Sequence, residues 1–389
     1  MILLRRIIPW AVLSIMPILI LVTGFDSQNG FLRLIHFGQN FKEARIQEIR
    51  KMDIPDVTPW GYDGQFYAQI AIDPSLGHEG LKNATYGELA YRARRIGLPF
   101  LAFCLGLGQP FLILQAYVLL NFLFWILLLI TLNRYLNLNT SRGFLLAISI
   151  LWSTGTLASL ARSVPDLPAV AFSTLALVSG SQTGANLFIG IAALFKETAV
   201  LSFPRVVWQE ITCRNHGIRK LLFSALIVFG PIIAWSIYIY FRLPVETMLG
   251  SGNFSIPFMG LFNKVMGSVK QLLDVFSHRE WINLPFLFFE LICPLSLLTQ
   301  SVYMVFRLNP SSNAWKTGIG FVVLFCFLGA GVWGDQYAYS RVLLPFTVSF
   351  NFLIHEQETG PSFWIWYLLG NAGMSWMCIE TAFRSFLIL

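Results

Sequence analysis

From Pro110 to Asn133 the chain runs without one charged side chain, and comparable apolar runs recur near 7–25, 221–241 and 284–305. About 20 such residues are what a helix needs to cross roughly 30 Å of hydrocarbon. Lipid accepts only helices or a closed barrel, because no water is there to satisfy the backbone. Barrel strands would alternate over about 10 residues, and these runs are too long and continuous for that. The expected fold is therefore all-α: a polytopic transmembrane helix bundle. Composition agrees, with 56% hydrophobic and 12% charged residues, against roughly 25% charged in an ordinary soluble domain. Such a bundle is best counted as a single unit, residues 1–389.

The net charge of +7 does not indicate nucleic acid, because Lys and Arg are dispersed at span ends instead of clustered. Snorkelling and topology signals account for that arrangement. Five cysteines, at 104, 213, 293, 326 and 378, form no C-x-x-C or His-partnered spacing, so neither a disulfide framework nor a zinc site is expected. Arg5 and Arg6 before the first apolar run imitate a signal peptide. The run is long and lacks a small-residue cleavage site, so it reads as a retained anchor.

Placing Arg5 and Arg6 in the cytoplasm sends the first span outward and makes 26–95 the first extracytoplasmic loop. In it, Phe41, Ile46 and Ile49 recur near helical spacing among basic residues, which predicts a helix lying on the membrane surface. The apolar stretch 93–108 is short and reads as interfacial or re-entrant. Spans are then expected at 110–133, 143–160, 168–182, 185–195, 198–212 and 221–241. A second large outer loop, 242–283, precedes spans at 284–305, 315–332, 342–354 and 361–381. Together with 7–25 that makes about eleven spans. Nine positive residues (Arg5, Arg6, Arg134, Arg142, Arg214, Arg219, Lys220, Arg307, Lys316) fall on short inner segments, and four (Arg162, Lys196, Arg341, Arg384) on short outer ones. That bias has the direction the positive-inside rule requires.

This topology brings Asp63, Arg162, Asp166, Lys196, Glu197, Asp335 and Arg341 to one side. Charges at membrane depth are expensive and face a cavity or one another, so the shared side marks a candidate site. Each residue also has a plainer reading. Asp63, in Tyr62-Asp63-Gly64, can be a turn former; Asp166, between Pro165 and Pro168, can cap the next helix. Lys196 and Glu197 can neutralise each other, and Arg341 can anchor its span. Arg92, Arg94 and Arg95 read as headgroup-facing.

The order of first span, aspartate-bearing outer loop and short Arg-containing second outer loop resembles the GT-C superfamily of integral membrane glycosyltransferases. Gly61-Tyr62-Asp63-Gly64-Gln65-Phe66-Tyr67, followed by Tyr91-Arg92-Ala93-Arg94-Arg95-Ile96-Gly97-Leu98-Pro99, is similar to bacterial relatives of the GPI mannosyltransferase that adds the second mannose. Arg162-Ser163-Val164-Pro165-Asp166 resembles, in shorter form and with one acid, a stretch of the oligosaccharyltransferase catalytic subunit. Arg341-Val342-Leu343-Leu344-Pro345 resembles an Arg-aromatic-Leu-x-Pro pattern of many GT-C enzymes.

The resemblance implies a bundle of GT-C type with extracytoplasmic loop helices. It also implies inverting transfer of a sugar (mannose or another hexose or pentose) from a polyprenyl-phosphate donor to an extracytoplasmic glycan, lipid or protein. The donor leaves a phosphate, which a cationic clamp stabilises; Lys196 and Arg341 are the candidates. The acceptor hydroxyl needs one base, and Asp63 is the candidate, with a pKa raised by a partly water-excluded cavity. Arg162, Asp166 and Glu197 are supporting acid/base or metal-capable groups, and Tyr62 and Tyr67 a sugar-facing aromatic surface. No cofactor is assigned, and a divalent metal is left open. The expected partners are membrane lipid, donor and acceptor, and the expected location is a bacterial plasma membrane. The rival readings are a transporter or lipid-linked sugar flippase, which would bind near the midplane at broken helices and show internal repeats, and a non-catalytic assembly subunit.

Overall fold

The computed structural model describes residues 2–212, 218–244, 252–278 and 284–378. Arg214, Arg384, part of the expected 242–283 loop and the end of the last expected span lie outside them. Among the described residues the regular structure is helical, with isolated backbone bridges and no strand. Four helices are long and apolar enough to cross a membrane: the first (Ile7–Gly24 of it), Pro110–Leu136, Ile218–Arg242 and Leu284–Phe306. Ser141–Leu151 and Thr154–Ala161, bent by 49° at their junction, make a fifth if taken as one span. Leu222, Phe223, Leu226, Ile233 and Ile237 stand exposed along Ile218–Arg242, an apolar surface larger than a soluble protein tolerates.

Local chemistry sets the helix limits. Pro110 begins its helix where a missing N–H costs nothing, and Asn137 ends it in the left-handed region at φ 52°. The Thr140 hydroxyl then accepts from Gly143 N at 3.1 Å to start the next helix. Ser153 makes the bend: its hydroxyl donates to Ile150 O at 2.8 Å and accepts from Thr156 N at 3.3 Å. The other expected spans fall on shorter helices, Asp166–Val178, Gln182–Phe195, Asn313–Phe327, Leu344–Gln357 and Gly360–Asn371. The stretch 198–212 is a 3-10 turn, Glu197–Ser202, followed by Pro204–Thr212, because Pro204 cannot continue the ladder and opens a new helix.

The first loop is built around the helix Gly64–Ile72. Gln65 and Gln69, four apart and therefore on one face, are almost fully buried. Gln65 accepts from Gly38 N at 2.9 Å and donates to Trp60 O at 3.0 Å; Gln69 accepts from Ile46 N at 2.9 Å and donates to Ala84 O at 3.0 Å. Two amides thus satisfy backbone that no regular element pairs. The membrane-surface helix expected near 41–51 is instead a 3-10 segment, Gln39–Ala44, and one α-turn, Gln47–Arg50, with Ile46 and Ile49 buried in the protein core. Their spacing signalled burial against this hub, not against lipid. The stretch 97–105 is a nine-residue helix with Phe100 and Leu105 exposed.

Candidate functional site

Asp63 stands at the N-terminus of the Gly64–Ile72 helix, yet its carboxylate makes no capping bond. It accepts instead from Arg92 Nη1 at 2.9 Å and lies 3.9 Å from Arg341 Nη2. A turn former would not need these partners. Burial would raise the Asp63 pKa, but Arg92 and Arg341 outweigh it and hold the carboxyl below its ordinary value. The raised pKa expected for Asp63 is therefore corrected: two guanidiniums keep it ionised.

Asp166 is the first residue of the Asp166–Val178 helix and makes no capping bond either. One carboxylate oxygen holds Lys196 Nζ, and the other accepts from Arg341 Nη1 at 2.8 Å. All three side chains are more than nine-tenths buried. Arg341 also donates from Nη2 to the Tyr62 hydroxyl at 2.8 Å and from Nε to Tyr337 O at 3.1 Å. Tyr62 in turn donates to Asp335 at 2.7 Å. Arg341 is thus an interior hub and not an interfacial anchor.

Lys196 and Glu197 do not neutralise each other. Lys196 ends its helix in extended conformation, φ −154°, which turns the two side chains to different partners. Glu197 takes a two-pronged contact from Arg95, at 2.9 and 3.0 Å. Burial opposes ionisation of Glu197, but Arg95 pulls its pKa down to about 2.

These groups meet at a cavity of about 420 Å3 whose wall includes Asp63, Arg94, Arg95, Lys196, Glu197 and Arg341. Phe254, Leu324, Leu328 and Val332 supply an apolar side. The arginines expected to face headgroups are part of this site. Arg92 is buried over the Phe66 ring at 3.8 Å and bonds Asp63 and Glu88. Arg95 bonds the Tyr67 hydroxyl as well as Glu197. Arg94 is exposed at the wall, with no acidic partner among the described residues. Arg92 stands on the short Leu89–Ala93 helix, and Arg95 lies just past its end.

Tyr62 and Tyr67, expected to face a sugar, do not line the cavity. Tyr67 is buried with its hydroxyl on Arg95, and the Tyr62 ring lies under Arg162, 4.4 Å from its guanidinium carbon. Arg162 also stacks at 3.5 Å on Tyr337, so it braces the site from behind. Asp166 likewise sits behind the wall and holds two of its cations. Among the described residues no three His, Cys, Asp or Glu side chains converge as metal ligands. No protein-family model, curated protein or solved structure matches this chain.

Proposed function

We propose that the protein is an inverting membrane glycosyltransferase of GT-C type, with about eleven spans, in a bacterial plasma membrane with its site on the extracytoplasmic side. The observation that carries this reading is a cavity whose wall holds the ionised carboxylate of Asp63, a second carboxylate at Glu197, four cations and an apolar side. Cations against an apolar surface suit a phosphate borne on a prenyl chain, and a carboxylate beside them suits a single displacement.

In this reaction the acceptor hydroxyl oxygen attacks the anomeric carbon while the bond from that carbon to the phosphate oxygen breaks. The hydroxyl proton passes to Asp63, and the electron pair leaves on polyprenyl phosphate. Arg94, Arg95, Lys196 and Arg341 face the developing charge. The donor sugar is mannose or another hexose or pentose, and the acceptor a cell-envelope glycan, lipid or protein.

The test is a screen of radiolabelled polyprenyl-phosphate sugars against envelope glycans, with Asp63→Asn as the control. Removing the base should lower turnover by roughly 100-fold or more with the protein still inserted and folded; near-normal turnover rejects the assignment. A flippase of lipid-linked sugars is the second reading, favoured by the helix breaks at Lys196 and Gly334 beside the cavity. It predicts movement of the donor across sealed vesicles with no transfer.

A further inference from the structure

A second cavity, of about 230 Å3, lies on the far side of the short Ala330–Trp333 helix: Val332 lines the first cavity, and Trp333 the second. Its other wall is one face of the Met259–His278 helix, where Asn263, Gly267, Ser268 and Gln271 recur at helical spacing. Lys264 shares that face, but Glu290 neutralises it at 2.9 Å. The lining thus combines apolar surface with neutral polar groups and carries no uncompensated charge.

Two residues of this lining carry a buried hydrogen-bonding group without a partner. Trp333 Nε1 and Ser268 Oγ are buried, in residues each 2% exposed, and neither is bonded. An unsatisfied buried donor costs about 1–3 kcal/mol, so such groups persist where water or a ligand completes them. Gly260 lets the long helix settle on the indole, since a Cβ there would meet Trp333 Cδ1 at 2.6 Å.

We propose that this second cavity binds one neutral sugar ring of the acceptor. Amides, a hydroxyl and an indole N–H around an aromatic side chain match the alternating donors and acceptors of a sugar, and the absence of free charge disfavours a phosphate. The volume is below the roughly 300–1,000 Å3 of pockets that enclose a drug-sized ligand, which suits one ring and not a chain. Calling the occupant the acceptor rests on the glycosyltransferase reading; the sugar binding does not.

The experiment is saturation-transfer NMR on the whole protein in nanodiscs, with methyl glycosides of neutral hexoses and pentoses and with glycerol phosphate as an anionic probe. A Cβ at Gly267 meets open space, so Gly267→Leu fills the cavity and raises helix propensity; Gly180→Leu, also at an open position, is the control. Transfer to at least one glycoside is expected, lost in Gly267→Leu and kept in Gly180→Leu. Absence of transfer to every glycoside, transfer unchanged by Gly267→Leu, or a Gly267-dependent signal from glycerol phosphate alone overturns the proposal. Loss of Asp63-dependent turnover as a premise would leave the binding result standing, so the two failures are distinguishable.

Discussion

Gly64 lies directly against the carbonyl of Arg162: a Cβ at Gly64 would stand 2.1 Å from that oxygen and 3.0 Å from Ile35 O. The residue after Asp63 therefore docks on the backbone of the Arg162–Asp166 loop, where Ser163 holds φ 45° and the Tyr117 hydroxyl donates to its carbonyl at 2.7 Å. Gly64→Ala should force these two segments apart at about 1–3 kcal/mol, the usual cost of overpacking. A lowered thermal midpoint together with a fall in turnover is expected. Gly180→Ala, which meets nothing, should change neither.

The pH dependence follows from Arg92. The folded Asp63 pKa is depressed, with burial opposing and Arg92 and Arg341 prevailing, so the carboxylate is the form present throughout neutral and mildly acidic conditions. Stability from this pair is complete above the ordinary carboxylate pKa and is lost only as pH falls through the lowered value. Turnover should accordingly hold its plateau into acid. In Arg92→Gln the larger of the two opposing cations is gone, and the acid limb of kcat/KM should move to higher pH. An unmoved limb in a folded variant would show that Asp63 is not the titrating base.

The charge-derived topology put Asp63, Lys196, Glu197 and Arg341 on one side, and the structure lines one cavity with all four. What stayed hidden were partners distant in sequence. Only Glu88, four residues before Arg92, is a local acid for Arg92, Arg94 and Arg95; the acids that tie this segment to the cavity, Asp63 and Glu197, lie 29 and 102 residues away from Arg92 and Arg95. Ile46 and Ile49 show the same limit. Helical spacing records that a face is covered and not what covers it. Lys196 and Glu197, adjacent in sequence, look self-paired until the helix break between them is seen.

Asp166 compensates two cations with its two oxygens. In Asp166→Asn, Lys196 and Arg341 remain buried without their counter-charge, and breaking a buried ion pair from one side costs about 3–5 kcal/mol. A large loss of stability is expected. Pairing Asp166→Leu with Lys196→Met removes one of the two stranded cations and should recover part of that stability, Arg341 still lacking its Asp166 partner, but not donor use, because one cation of the wall is gone. Recovery of both would remove Lys196 from the phosphate clamp.

Arg341 separates a positioning role from a charge role. Its guanidinium engages Asp166, the Tyr62 hydroxyl and Tyr337 O at once and still lies at the cavity wall. A lysine keeps the charge but cannot reproduce a planar fork with donors in three directions. Losing one charge-assisted hydrogen bond is worth about 1.5–3 kcal/mol, and 1.4 kcal/mol is about tenfold. Arg341→Lys should therefore weaken donor use by about tenfold or more, and Arg341→Ala further, with the apparent affinity for acceptor little changed. Separate titrations of donor and acceptor with folded variants provide the measurement. A defect confined to acceptor would place Arg341 on the acceptor side, and loss of stability with unaltered donor affinity would reduce it to the brace that holds Tyr62 on Asp335.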